Sequence, residues 1–447
     1  MEKPDVIAAV ATAGGRAAIG IVRLSGPGLQ RFLPPLLGRE QLAPRQAILS
    51  RILDASGNAI DFGLVLYFPA PHSYTGEDVL ELQGHGGDAV VRGVLARCLE
   101  LGARMAEPGE FTRRAFLNDR LDLAQAEAVA DLIEANSTAA ARSALRSLSG
   151  EFSKQIQELV DGLIDLRMLV EACIDFPEED VELLSERDGL GHLERLMGQL
   201  VRVRQAAESG SLLREGAQVV LFGGPNVGKS SLLNAFAGGD VAIVTEVPGT
   251  TRDLLKEQIQ LEGVPFHIVD TAGLRESNDV VEAVGMSRTW RALGEADLGL
   301  LVIDALVGES EQDRTLLARL GPAVPRLVVF NKIDLTGDRP RVESRADRTE
   351  IWVSAKTHVG LDLLSAEMLR QIGWRPRDEG VFLARERHLR CLQRASGHLE
   401  AARAQADQLE LFAEELRLAQ VDLSQITGEF TSDDLLGEIF SRFCIGK

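Results

Sequence analysis

The chain has 447 residues, is 45% hydrophobic, and carries 48 Lys and Arg against 67 Asp and Glu, a formal net charge of −19. That length accommodates roughly two or three domains with cores of their own, and no apolar run approaches a membrane span. The acidity excludes broad nucleic-acid binding by the chain alone, because affinity for a phosphate backbone comes mainly from Lys and Arg.

The segment Met1-Glu2-Lys3-Pro4-Asp5 has neither the basic and apolar regions of a signal peptide nor an Arg-rich transit pattern. Cys98, Cys173, Cys391 and Cys444 are widely spaced without a CxxC pair. Disulfide staples and zinc sites are therefore not expected, and a reducing cytoplasm without membrane association fits.

Residues 1–118 mix short apolar runs with turns. Ala18 to Leu24 and Gly63 to Phe68 read as strands, and Val79 to Gln83 as a further strand carrying Glu81. Pro69 to Gly76 is a turn-rich connection and Gly84-His85-Gly86-Gly87 a flexible one, followed by a helix from Ala89 to Leu99. An α+β domain is expected here.

From about residue 119 the spacing becomes helical. Leu145, Leu148, Phe152, Ile156, Leu159, Leu163, Leu166, Val170 and Cys173 form one apolar stripe of a long helix, and Cys173 on it reads as packing. A second stripe, Leu389, Leu392, Ser396, Leu399, Ala402, Ala406 and Leu409, follows Trp374 and Pro376. The two segments, 119–214 and 378–447, read as one discontinuous helical bundle domain with the module 215–377 inserted into it.

That module carries four motifs, each at the end of an apolar run. Val219-Val220-Leu221-Phe222 leads into Gly223-Gly224-Pro225-Asn226-Val227-Gly228-Lys229-Ser230, which matches G-x-x-x-x-G-K-[ST], and Ser230-Ser231-Leu232 opens the next helix. Glycines let backbone N–H groups close around phosphates, and the helix N-terminus adds its positive end. Lys229 reaches the β- and γ-phosphates while the Ser230 hydroxyl ligates Mg²⁺. Asp270-Thr271-Ala272-Gly273 ends a second run, where Asp270 holds Mg²⁺ through water and the Gly273 N–H senses the γ-phosphate. Asn331-Lys332-Ile333-Asp334 ends a third; a carboxylate accepting two N–H donors suits guanine, and adenine offers no such pair. Ser354-Ala355-Lys356 follows a fourth run and presents a backbone N–H for the guanine O6. The module reads as a Ras-like GTP-binding domain with a doubly wound parallel α/β sheet.

Its departures are informative. Leu274 occupies the position where Ras-like GTPases place a water-orienting glutamine. Glu282, beyond the polar stretch Arg275 to Asp279, is a candidate catalytic carboxylate; the alternative is a solvated acid favoured by a helix dipole. No basic residue at the x-positions of the phosphate loop offers an arginine finger, and Asn226 instead places an amide oxygen where a monovalent cation can supply that charge. Thr245-Glu246-Val247-Pro248-Gly249-Thr250-Thr251-Arg252-Asp253 reads as the first switch, with Thr251 the second hydroxyl ligand for Mg²⁺.

Several runs resemble the MnmE (TrmE) family of tRNA-modification GTPases: Gly249 to Asp253, Asp270 to Arg275, Gly109-Glu110-Phe111-Thr112-Arg113-Arg114-Ala115-Phe116-Leu117-Asn118, Glu81 to Gly87, and the tail Phe443-Cys444-Ile445-Gly446-Lys447. The resemblance covers the whole chain. It implies an enzyme that, with a flavin-dependent partner of the MnmG (GidA) type carrying FAD and using NADH, installs a carboxymethylaminomethyl or aminomethyl group on carbon 5 of the wobble uridine of certain tRNAs. It also implies a one-carbon unit from a tetrahydrofolate derivative (5-formyl or methylene), a homodimer joined through the folate-binding N-terminal domain, a heterotetramer or larger complex with the partner, and tRNA contact mainly through that complex. The folate contacts carry over onto Arg23, Glu81, Arg120 and Lys447; position 120 is often lysine in the family, and arginine keeps the charge with a different donor geometry. K⁺ carries over onto the Asn226 side chain, the Thr245 and Val247 carbonyls and Thr250, and Glu282 onto the water-orienting glutamate. Cys444 matches the family's tail cysteine near the folate, where inert packing is the competing reading. The rivals are a ribosome-assembly or translation GTPase without group transfer, and an N-terminal domain that only dimerises.

Overall fold

A computed structural model describes residues 5–175, 188–237, 256–270, 296–318, 320, 324–374, 381–429, 433–441, 443, 444 and 446. By contact density the chain divides into two compact units, one of Met1–Glu134, Ser147–Leu200 and Cys391–Lys447, the other of Ala135–Arg146 and Val201–Arg390.

The first unit opens with strands β1 (Ile7–Val10), β2 (Ile19–Ser25), β3 (Ile48–Leu53), β4 (Ala59–Phe68), β5 (Val79–His85) and the short β6 (Arg104–Met105), joined in the order β3-β4-β5-β2-β1-β6. Alternation along β2 and β4 turns Val22, Leu24, Val65 and Tyr67 to one face, where Leu80, Leu82 and Cys98 complete a buried cluster. Helix α1 (Leu33–Leu37) and helix α2 (Asp88–Glu100) supply Leu36, Val94 and Leu95 to it. Ile7 and Ala9 of β1 pack on the other side with Ala106 and Phe111, the latter on helix α3 (Glu110–Leu117).

The expected strands are present, and one expected connection is corrected. Gly84 and His85 belong to β5: the His85 N–H donates to Asp61 Oδ2 at 2.7 Å, and a Cβ on Gly84 would stand 2.3 Å from that oxygen. Glycine there serves close approach within the sheet rather than flexibility.

Asp122 opens helix α4 (Leu123–Glu134) with a reciprocal cap, accepting from the Gln125 N–H at 2.8 Å while its own N–H donates to Gln125 Oε1 at 3.0 Å. The long helix expected over the first stripe is two, α5 (Thr138–Leu148) and α6 (Glu151–Asp175). Gly150, with φ +88°, ends the run, and Leu145 is 56% exposed. From Phe152 to Cys173 the stripe is buried as expected. Helix α7 (Gly189–Glu215) leads to the second unit.

That unit holds strands β7 (Ala217–Phe222), β8 (Lys256–Leu261), β9 (Val264–Asp270), β10 (Leu298–Asp304), β11 (Arg326–Asn331), β12 (Arg341–Ser344) and β13 (Thr349–Trp352), in the order β12-β13-β11-β10-β7-β9-β8. Pairing is parallel except at β8 and β12. Val219, Leu221, Leu300, Val302, Val328 and Val329 are buried, as central strands covered on both faces require. Helices α8 (Lys229–Ala237), α9 (Glu311–Ala318), α10 (Ile333–Thr336) and α11 (Leu361–Gln371) follow β7, β10, β11 and β13. β7 lies between β9 on one side and β10 on the other, and the chain passes from the β8-β9 side to the β10 side across it, the switch point at which such sheets bind ligands.

Helix α12 (Glu386–Ala404) carries the second stripe only as far as Ala402. Ala406 lies beyond its end, and Leu409 begins helix α13 (Leu409–Thr427). Phe412, Leu416, Ala419 and Leu423 of α13 are buried, and the Arg167 guanidinium of α6 donates to Gln420 at 2.7 Å. Helix α14 (Asp433–Ser441) packs Leu436, Ile439 and Phe440 against Leu123, Ala126 and Ala130 of α4. No helix among the described residues is long and apolar enough to cross a membrane.

Candidate nucleotide site

The carboxyl ends of β7, β10, β11 and β13 bring together most of the motif residues that the structure describes. After β7 the chain turns at Gly223, whose φ of +139° and close approach to Val302 O (2.3 Å from a would-be Cβ) admit only glycine. Asn226 has φ +60°, and Gly228, with φ +97°, opens α8. A Cβ on Gly228 would stand 2.3 Å from Asn331 Nδ2, so this glycine makes room for the base-side loop.

Lys229 folds back over the loop and donates to Gly223 O at 2.8 Å and Gly224 O at 2.9 Å. Ser230 and Ser231 are exposed on the first turn of α8.

Asn331 ties three segments together. Its Nδ2 donates to Val227 O at 2.9 Å and its Oδ1 accepts from the Ala355 N–H at 3.0 Å. One buried amide thus sets the spacing between the phosphate loop and the Ser354-Ala355 loop. Phe330 and Trp352, register partners on β11 and β13, stack at 4.8 Å immediately before those loops. Asp334 Oδ1 accepts from the Ser354 hydroxyl at 2.6 Å. Lys356 is exposed beside them.

Sequence reasoning missed Asp304. It ends β10, opposite Asn331, and accepts from Lys332 Nζ at 2.6 Å while that ammonium also donates to Asn226 O at 2.6 Å. The Lys332 bond holds the Asp304 carboxyl below its usual range, against a smaller opposing effect of burial. The signal was an apolar run ending in Asp, Leu298 to Asp304, as in the Asp270 motif.

Asp270 ends β9 with its backbone opposite Leu221 of β7, but its side chain lies outside the described residues. So do Thr245, Glu246, Val247, Pro248, Gly249, Thr250, Thr251, Thr271, Ala272, Gly273, Glu282 and Lys447.

A second group lies in the first unit. Arg23 and Glu81 are register partners on β2 and β5 and form an ion pair at 2.8 Å, both largely buried. The rings of Tyr74 and Phe111 stand 5.7 Å and 5.8 Å from the Arg23 guanidinium carbon. The Tyr74 hydroxyl shares a hydrogen bond with Thr112 at 2.8 Å, and burial pushes its pKa up. Gly76, two residues on, lies under the stem of exposed Arg120, whose Cγ is 3.2 Å from a would-be Cβ. The 74–76 turn therefore touches both arginines.

Behind this turn Glu110 accepts from Arg104 at 2.7 Å and Arg114 at 3.0 Å, and Asp5 from the same two at 2.7 Å and 2.6 Å. Burial opposes ionisation of both carboxyls, and the two guanidiniums outweigh it and hold both below the usual range. Exposed Cys444 lies on the tail, where the Gly109 N–H donates to Cys444 O at 3.3 Å and a Cβ on Gly446 would meet Val10 O at 2.3 Å.

Two family models match, one described as the GTP-binding protein TrmE N-terminus over residues 6–120 and one as the MnmE helical domain over residues 123–444. The tRNA modification GTPase MnmE of Azoarcus sp. is 60% identical over 445 residues, covering 99% of this chain and 98% of that protein. The protein of the same name from Chromobacterium violaceum is 57% identical over 444 residues, 99% of each chain. That from Dechloromonas aromatica is 57% identical over 449 residues, the full length of both. A phosphate loop bonded to a guanine-type Asn-Lys-x-Asp loop, in a chain matched from end to end by such relatives, belongs to the MnmE (TrmE) family of tRNA modification GTPases.

Proposed function

We propose that this chain is the GTP-hydrolysing member of a complex that modifies carbon 5 of the wobble uridine of certain tRNAs, with a flavin-dependent MnmG-type protein as partner. The family makes it a GTPase. The observation that supports guanine as the base is Asp334: Ser354 occupies one carboxylate oxygen, leaving the other side of the exposed carboxylate for N1–H and N2–H. Asn331 holds the base loop at a set distance from the phosphate loop, so both ends of the nucleotide are gripped together. Lys229 exchanges its two loop carbonyls for phosphate oxygens, and the first N–H groups of α8 add their donors.

The exposed first turn of α8 fits Mg²⁺ on Ser230, with Thr251 as the second hydroxyl. K⁺ is assigned to Asn226, Thr245, Val247 and Thr250. Bound there, the two cations supply positive charge against the phosphates, K⁺ in the place of an arginine finger. Glu282 is assigned to orient the attacking water.

We read 1–118 as the tetrahydrofolate and dimerisation domain, 119–214 with 378–447 as the helical domain, and 215–377 as the GTPase. A guanidinium and a carboxylate side by side near two aromatic rings suit a flat heterocycle with donor and acceptor edges. Arg23, Glu81 and Arg120 are the proposed contacts, with Lys447 and Cys444 supplied by the tail; the folate derivative provides the one-carbon unit. Exposed Leu49, Phe62 and Leu64 on the outer face of β3 and β4 support pairing with a second copy. The −19 charge supports tRNA binding mainly through a complex with the flavoprotein, in the cytoplasm. Isothermal titration of the full chain with 5-formyl-tetrahydrofolate tests this reading: saturable heat is expected, lost in Arg23→Ala. No heat from the parent protein would leave the N-terminal domain as a dimerisation scaffold.

A further inference from the structure

The run from Gly109 to Asn118 supplies none of the proposed nucleotide or folate contacts, yet it forms helix α3 and its C-cap, whose groups reach every segment around Arg23. Asn118 donates from Nδ2 to Thr75 O at 2.7 Å. Thr112 shares a hydrogen bond with the Tyr74 hydroxyl at 2.8 Å, and Arg114 donates to Glu77 at 3.1 Å. One helix thus holds the 74–77 turn at three points. The turn is also closed on itself. The Ser25 hydroxyl donates to Glu77 at 2.8 Å, so the 2.7 Å bond between Ser25 and Thr75 is donated by the threonine, whose oxygen accepts from the Glu77 N–H at 3.2 Å. Ser25, Thr75 and Thr112 are fully buried, and water does not compete for these bonds.

The turn carries the ring of Tyr74, 5.7 Å from the Arg23 guanidinium carbon, while Phe111 of α3 lies fully buried at 5.8 Å from the same carbon. The helix also sets the chain leading to Arg120. It ends at Asp119 with φ +53°, the Arg120 N–H closes back on Ala115 O at 2.9 Å, and the Asp119 N–H reaches Phe116 O at 3.0 Å. This paired closure fixes the direction in which the chain leaves a helix. Gly76 leaves room for both neighbours, since a Cβ there would stand 2.9 Å from Asn118 Cβ and 3.2 Å from Arg120 Cγ. At the other end of α3, the Gly109 N–H donates to Cys444 O, and a Cβ on Gly109 would meet Phe440 O at 2.7 Å.

We propose that Asn118 is a positioning residue of the folate site: through Thr75 it holds the 74–77 turn, and with it the ring of Tyr74, against Arg23. The proposal rests on the folate reading of that site. Without the amide the Thr75 carbonyl loses this donor, and the turn is free to shift toward another partner. An asparagine that served stability alone would lower the unfolding temperature and leave the folate affinity of the folded protein unchanged.

Isothermal titration of the full-length protein with 5-formyl-tetrahydrofolate, well below the unfolding midpoint, tests this. Asn118→Ala should weaken binding about tenfold, the scale of one hydrogen bond, with GDP affinity unchanged. Tyr74→Ala should itself weaken binding about tenfold, and in that background Asn118→Ala should cost less than about twofold more, because the turn then has no ring to place. Thr112→Val keeps the volume and removes the hydroxyl, and should weaken binding about threefold. Parent-like affinity in both Asn118→Ala and Thr112→Val, parent-like affinity in Tyr74→Ala, or a tenfold loss from Asn118→Ala that persists beside Tyr74→Ala would each overturn the positioning role and leave the folate reading standing. No heat from the parent protein would overturn both.

Discussion

Asp334→Asn separates the proposed guanine contact from every other feature of the site. In the parent protein the Ser354 hydroxyl donates to Asp334 Oδ1 at 2.6 Å. An asparagine keeps that bond only by turning its single oxygen toward Ser354, which aims its NH₂ at the base. Two charge-assisted acceptances from guanine are then replaced by opposed donors. Hydrogen bonds to charged groups contribute about 1.5–3 kcal/mol each, so a loss of at least about 3 kcal/mol follows, roughly 100-fold or more in Kd. Xanthine carries a carbonyl where guanine carries its amino group, so the NH₂ that repels GDP accepts XDP as a partner. Fluorescent-nucleotide titrations with GDP and XDP read both effects, and thermal unfolding checks that the fold persists. A variant that binds GDP within about threefold of the parent, or that gains nothing for XDP, would place the base elsewhere and refute the geometry argued from Ser354.

GTP hydrolysis should run at least about tenfold faster in KCl than in NaCl of equal ionic strength, because an arginine finger is worth about 10³–10⁵ and K⁺ takes its place; equal rates would remove the cation from the site. Glu282→Ala should lower kcat strongly with GTP affinity nearly unchanged, as for any group acting only in the transition state; normal turnover would move the role to another residue, Glu276 first. In the N-terminal sheet, Asp5 and Glu110 are held below the usual carboxylate range by Arg104 and Arg114. The stabilisation they supply is complete above about pH 4.5, the unfolded-state range, and is lost as pH falls through the lowered folded values. Arg104→Gln should flatten that acid limb in thermal unfolding followed from about pH 3 to 6, and an unchanged limb would show that the pair contributes nothing.

The parts of this molecule that were legible from its residues share one property: the signal lies within a few positions of itself. Val219 to Ser230 states a buried strand, a glycine turn and a helix start in succession, and each is found there. β3 was illegible for a local reason, since Ser50 turns inward while Leu49 stands 68% exposed, which breaks the alternation that Arg51 and Ile52 keep. Leu148 and Phe152 keep helical spacing across Gly150, and spacing carries no trace of the φ of +88° that divides α5 from α6. The site itself is joined by longer reaches. Asn331 was readable as part of a base-recognition motif, yet its bond to Val227 spans 104 positions and makes the phosphate and base loops one rigid frame. Asp304, with no motif of its own, belongs to that frame because β10 and β11 run parallel in register, placing it opposite Asn331 and within 2.6 Å of the Lys332 ammonium. A spacing rule finds such a residue only after the strand order is known, and the strand order is a property of the sheet as a whole.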